Sequence, residues 1–155
     1  TIYTDGSAKG NPGNGGYGVV MMSGKYKKEL SEGFRLTTNN RMELLSVIVA
    51  LESIKNPSDN VQIFSDSKYV VDSVEKKWVF GWQKKGFKGK KNIDLWKRFL
   101  AIYPKHKVKF NWVKGHAGNE YNEICDTLAV EAADGNNLLV DEGYEASKKD
   151  DLFGS

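Results

Sequence analysis

Apolar and polar positions along the chain fall into short strand-like runs and longer helical stripes, separated by glycine- and asparagine-rich breaks. Thr1–Thr4 are β-formers that run into Asp5-Gly6-Ser7 and a loop carrying Gly10, Asn11, Pro12, Gly13, Gly15 and Gly16. The apolar run Tyr17–Met22 and the more polar run Tyr26–Arg35, joined by Ser23-Gly24-Lys25, read as two further strands of an antiparallel meander. Thr37-Thr38-Asn39-Asn40 supplies cap residues for a helix over Arg41–Lys55, which Asn56-Pro57 ends. Val61–Phe64 predicts a fourth strand, ending at Ser65-Asp66-Ser67 before a short helix over Ser67–Lys76. Asn92–Tyr103 reads as an amphipathic helix. Lys107–Val113 alternates Val108, Phe110 and Trp112 with Lys109 and Asn111, which predicts a strand. A glycine-flanked loop, Lys114–Asn119, leads to a last helix over Glu120–Ala133.

This order of elements suggests an α/β domain, and 155 residues suit one domain with a sizeable core. In an open α/β sheet the ligand site lies beyond the carboxyl ends of the strands, so two strands ending in Asp5 and Asp66 suggest a shared acidic site. Taken singly, either acid also reads as an ordinary turn or cap residue. Glu43 shares a helical face with Val47, Ala50 and Ile54, where a carboxylate needs a partner, although it also lies in the helix's first turn, where the macrodipole favours an acid. Asp126 stands beside Ala129, Val130 and Ala133 at helical spacing. His116 sits on the glycine-flanked loop and not on an apolar face, which favours a chemical role; His106 reads as a surface residue.

Charge changes the picture more than its total of +3 implies. Residues 76–114 hold 13 Lys and Arg against a single acid, Asp94, whereas residues 115–155 hold 10 acids against two lysines. In the basic stretch Trp78, Phe80, Trp82 and Phe87 alternate with Lys76, Lys77, Lys84, Lys85, Lys88, Lys90 and Lys91, the pairing of stacking surface and phosphate neutralisation expected of a nucleic-acid contact. Residues 136–155 read as an acidic, largely disordered tail, with Leu152 and Phe153 as a candidate tip for docking a protein. The single Cys125 excludes an internal disulfide, fits a reducing, cytoplasmic setting and reads as a small buried residue. No 18-residue apolar run is present, so no membrane contact is expected. Thr1 already lies in a strand-like run, and we expect a few residues before it.

If Asp5, Glu43, Asp66 and Asp126 converge, their repulsion calls for a cation. Carboxylate ligation without a Cys or His cluster points to Mg²⁺ or Mn²⁺ and away from zinc. Such a cluster beside a basic surface suggests two-metal phosphodiester hydrolysis.

The segments YTDGSAKGNPG, TTNNRMEL, SDSKYV, WVKGHAGN and NEICDTLA, in this order over Thr1–Ala133, resemble the motif series of the type 1 ribonuclease H family. The resemblance implies a five-stranded mixed sheet, three antiparallel strands then two parallel, with helices on both faces. It implies a catalytic domain over 1–135 and cleavage of the RNA strand of RNA/DNA hybrids, leaving 3′-hydroxyl and 5′-phosphate ends. Asp5, Glu43, Asp66 and Asp126 then match the carboxylates that hold two Mg²⁺ ions, with Mn²⁺ as substitute, and His116 matches a histidine that assists proton transfer or product release. Gly6 and Ser7 fall in the first motif. Asn11, Asn39 and Asn40 match minor-groove contacts, where amides read 2′-hydroxyls. Thr38 and Asn92 match a pocket gripping a DNA phosphate. Trp82, Lys84, Lys85 and Lys88 lie in the counterpart of a basic protrusion found in many bacterial members, and Lys68 stands where some members carry Gln. A monomer acting alone on the hybrid is the expected form. An idle hybrid-binding module, a domain trimmed from a polymerase-linked protein and a DNA-cutting relative are the competing readings.

Overall fold

The computed structural model describes residues 1–114 and 119–152. Five strands, β1 (Ile2–Ala8), β2 (Gly13–Ser23), β3 (Tyr26–Thr37), β4 (Val61–Ser65) and β5 (Val108–Trp112), form one sheet in the order β3-β2-β1-β4-β5. β1, β2 and β3 pair antiparallel, and β1–β4 and β4–β5 pair parallel, as expected for three antiparallel strands followed by two crossovers. The helices are α1 (Asn39–Glu52), α2 (Lys68–Glu75), α3 (Trp78–Lys84), α4 (Ile93–Ile102), α5 (Glu120–Asp134) and α6 (Glu142–Leu152). No helix among the described residues is long and apolar enough to cross a membrane.

Two glycines show how the layers close. A Cβ on Gly6 would come within 2.3 Å of the Met42 carbonyl carbon in α1, and one on Gly18 within 2.3 Å of the Cys125 carbonyl oxygen in α5. Gly18 lies opposite Asp5 in the β1–β2 ladder, one residue from Gly6, so the two glycines face opposite sides of the sheet. α1 therefore covers one face and α5 the other. Between α1, α2, α4 and the sheet lies the core, with Met42, Leu44, Ile48, Ile63, Trp96 and Phe99 almost fully enclosed.

α1 is buried nearly all round, which is why its sequence carries so few charges; Thr38 caps it, its hydroxyl accepting from the Arg41 N–H at 3.2 Å.

Three expectations are corrected. Phe87, read as part of the stacking surface of the basic stretch, turns inward to a site only 4% exposed, just beyond the helix α3. His106 is buried rather than on the surface, with Nδ1 accepting from the Ser58 N–H at 3.1 Å.

The third concerns residues 136–152, which are fastened to the domain instead of trailing from it. Leu139 exchanges two backbone hydrogen bonds with the outer edge of β3, and Asp141 is buried beneath α6. Composition pointed to disorder because it counts acids without their partners. Here Asp141 accepts from Arg41 at 2.8 Å and Glu145 from Arg35 at 2.8 and 2.9 Å. Leu152 lies at the end of α6, and Phe153 lies outside the described residues.

Candidate active site

The parallel β1–β4 ladder ends at the pair Thr4↔Ser65, while β1 runs on beside β2. Asp5 and Asp66 are the next residue on each strand, so both carboxylates stand at the mouth of the crevice where the two strands part. Below them Glu43 enters from the first turns of α1. Gly6 is the hinge of this arrangement, because a side chain there would collide with α1. Its N–H donates to Asp5 Oδ1 at 2.9 Å and also to Glu43 Oε1, which orients both acids.

Carboxylate oxygens of Asp5, Glu43 and Asp66 lie within 4.8 Å of one another. Asp126, from the second turn of α5, lines the same cavity of about 400 Å³, together with Ser7, Asn39, Asn40 and Lys68. Burial pushes the Asp5 carboxyl up to about 6, and the charges of Asp66 and Asp126 push in the same direction. Glu43 is held well above the ordinary carboxylate range, first by burial and then by Asp5 at its side. Asp5 and Glu43 thus sit where burial disfavours their own charges.

Glu43 Oε2 is buried without a hydrogen-bond partner among the described residues. An orphaned oxygen on a carboxylate that belongs to such a cluster of acids has the chemistry of a metal ligand. The donors are hard oxygens with no Cys or His among them, which fits Mg²⁺ or Mn²⁺ and not a soft ion. Asp5, Glu43 and Asp66 would hold one ion; Asp126 extends the set on the α5 side.

The residues expected to contact substrate surround this cluster. Asn39 accepts from the Ala8 N–H through its side-chain oxygen at 2.5 Å, and Asn11 Oδ1 accepts from the Asn39 N–H at 2.9 Å. Both amide oxygens are thus occupied, leaving the NH₂ ends as donors for acceptors such as those of a minor groove. Asn40 is exposed and joins the acidic cavity to a larger groove lined by Asn11, Thr38 and Asn92. Asn92, at a positive φ of 61°, donates to the Tyr69 hydroxyl at 3.0 Å; Trp96 Nε1 donates to the same oxygen at 2.8 Å. Lys68 places its ammonium 4.7 Å from the centre of the Trp112 ring, whose Nε1 donates to the Asp66 carbonyl at 3.2 Å. Lys84, Lys85 and Lys88 are exposed. Trp82 is half-buried, edge-on to Trp96, with Lys90 4.9 Å from its ring centre. His116 lies outside the described residues.

The family model for RNase H matches residues 1–134. The chain belongs to the ribonuclease H family. It is 56% identical over 149 residues to the Ribonuclease H of Shewanella amazonensis, a match that covers 93% of this chain and 94% of that one. Its fold resembles the crystal structure of a type 1 RNase H with the type 2 active-site motif, with a TM-score of 0.75 and 36% identity over 94% of this chain and 78% of that one. It also resembles an RNase H crystallised in complex with RNA/DNA hybrid, with a TM-score of 0.63 and 29% identity over 86% of this chain and 95% of that one. As a ribonuclease H the protein is an enzyme, a hydrolase of phosphodiester bonds.

Sequence reasoning missed a second layer. Arg41 is 3% exposed and is clasped by Asp141 on one side and by Asp94 on the other, at 2.7 to 2.9 Å. It braces the turn that carries Thr38, Asn39 and Asn40, and its Nη1 also lies 3.5 Å from Asn92 Oδ1. The signal was present, since Asp94 is the lone acid among 13 cations and an isolated acid in such a stretch needs a cationic partner.

Proposed function

We propose that this ribonuclease H hydrolyses the RNA strand of RNA/DNA hybrids with two divalent ions, Mg²⁺ or in its place Mn²⁺, and leaves 3′-hydroxyl and 5′-phosphate ends. The observation that carries the metal reading is the orphaned, buried Glu43 oxygen among carboxylates gathered within 4.8 Å. Bound at Asp5, Glu43, Asp66 and Asp126, the ions would supply an activated water and stabilise the leaving 3′ oxygen.

The protein's own residues supply the rest. Gly6 fixes Asp5 and Glu43 through one N–H. The NH₂ groups of Asn11 and Asn39, with Asn40 beside them, suit the acceptors and 2′-hydroxyls of a hybrid's minor groove, which selects for an RNA strand. Thr38 and Asn92 suit a phosphate of the DNA strand. Gly6, Ser7 and Lys68 line the approach to the acids, and Trp82, Lys84, Lys85 and Lys88 extend the contact along the backbone. His116 we assign to proton transfer or product release, where an imidazole, able both to donate and to accept a proton, serves either task. We take residues 1–135 as the catalytic domain, a monomer suited to a reducing, cytoplasmic setting.

The test is cleavage of one end-labelled sequence presented as RNA/DNA hybrid, duplex RNA, duplex DNA and single-stranded RNA, with Mg²⁺, with Mn²⁺ and with a chelator. Metal-dependent cutting of the hybrid's RNA strand alone, with product ends that a phosphatase and a ligase identify, is the expected result. Cutting of duplex DNA, or hybrid cutting in chelator, would overturn it. Asp5→Asn is expected to lower cleavage at least about 10³-fold while hybrid binding persists, since it removes a metal ligand and leaves the contact surface in place.

A further inference from the structure

The groove beyond Asn40 has a volume of about 720 Å³, far more than one phosphate fills. One side is formed by Asn11, Thr38 and Arg41, a second by Lys90, Lys91 and Asn92, and the third by Gly143, Tyr144, Ser147 and Lys148 of α6. Four cations and one carboxylate line it, and that carboxylate, Asp94, is engaged by Arg41. The groove is therefore a positive cleft in which the third wall comes from a segment whose composition is acidic.

α6 is seated too firmly to be an incidental neighbour. A Cβ on Gly143 would fall 2.0 Å from Asp94 Oδ2 and 3.0 Å from Arg41 Nη2, so the helix start lies directly on the ion pair. Asp141 holds the Tyr144 N–H at 3.3 Å as well as Arg41, and Arg35 clasps Glu145. Tyr144 is buried, and the Lys148 ammonium rests 5.4 Å from the centre of its ring. Two of the segment's acids are thus neutralised by arginines beneath the helix, while Lys148 is presented at the groove. Holding its ammonium over a fixed ring reduces the entropy lost when it meets an anion.

We propose that α6 is a wall of the substrate cleft and that Lys148 contacts a backbone phosphate of the DNA strand next to the one taken by Thr38 and Asn92. This rests on the hybrid reading above. Lys90 and Lys91 face the same strand from the opposite wall.

The experiment measures hybrid affinity against salt in an Asp5→Asn background, with hybrids carrying a single uncharged methylphosphonate at successive DNA positions. Lys148→Ala is compared with Lys149→Ala, an exposed lysine on the same helix outside the groove lining, and thermal melts check that both variants fold. Lys148→Ala is expected to weaken binding about three- to fivefold and to lower the salt slope by about 0.7 to 0.9. It should also abolish the effect of one methylphosphonate only, with Lys149→Ala changing neither. Unchanged behaviour of Lys148→Ala, or equal losses in both variants, would overturn the contact while leaving the hybrid reading intact. A parent that binds no hybrid would overturn both.

Discussion

Replacing Asp5 should make the metal-free protein more stable, and the gain should depend on pH in a calculable way. Asp5 is pushed from 3.8 up to about 6, first by burial and then by the other acids. Its folded-state pKa is raised above its unfolded value, so the folded protein binds the proton more tightly. The associated stability is complete below about pH 4 and is lost as pH rises through 6. A shift of this size is on the order of 3 kcal/mol, which the partial exposure of Asp5 reduces to about 2. Asn in its place carries no charge and can still accept from the Gly6 N–H, now at 2.9 Å, while its amide NH₂ faces Glu43. The variant Asp5→Asn is therefore expected to match the parent near pH 4 and to exceed it by about 2 kcal/mol at pH 8 in chelator, or roughly 4–8 °C in melting temperature for a domain of this size. Saturating Mg²⁺ should close the gap, because binding to the folded parent restores what repulsion removed. The assay is urea or thermal unfolding across pH, with and without metal. A variant less stable than the parent at pH 8, or a difference that does not vary with pH, would refute the reasoning.

Mg²⁺ affinity measured by calorimetry should fall as pH drops through about 6, because the Asp5 proton competes with the ion; constant affinity between pH 5 and 8 would remove Asp5 from the ligand set. Gly6→Ala should lower stability by about 3 kcal/mol or more in urea unfolding, since its Cβ meets α1 backbone at 2.3 Å and neither element can give way cheaply. Asp141→Ala leaves Arg41 buried with one carboxylate in place of two and should cost about 3 kcal/mol; a loss under about 0.5 kcal/mol would show that the C-terminal segment is not held by this pair. Replacing Lys84, Lys85, Lys88, Lys90 and Lys91 with Gln should flatten the salt dependence of hybrid binding markedly, with an unchanged slope rejecting the basic stretch as a phosphate footprint.

By itself the sequence determined where the strands lie, because short β-forming runs broken by glycine and asparagine are local signals that tertiary contacts here did not override, while the mixed pairing of the five strands was implied by the resemblance of its motifs. It also determined the identity of the acids. An Asp closing each of two strands and a Glu on an otherwise apolar helix face are visible wherever a charge stands against its pattern. What only the tertiary structure decided were the pairings between distant charges. Composition counts Asp141 and Glu145 as solvated acids of a tail, yet each meets an arginine about 100 residues away, and a one-dimensional pattern holds no information on which opposite charges will face each other. The same holds for His106 and Phe87, whose neighbours in sequence are polar and whose burial comes from elements packed over them. Gly6 joins both levels. As a turn former it is legible in the sequence, but that it must lack a side chain so that α1 can bring Glu43 to Asp5 follows only from two backbones meeting in space.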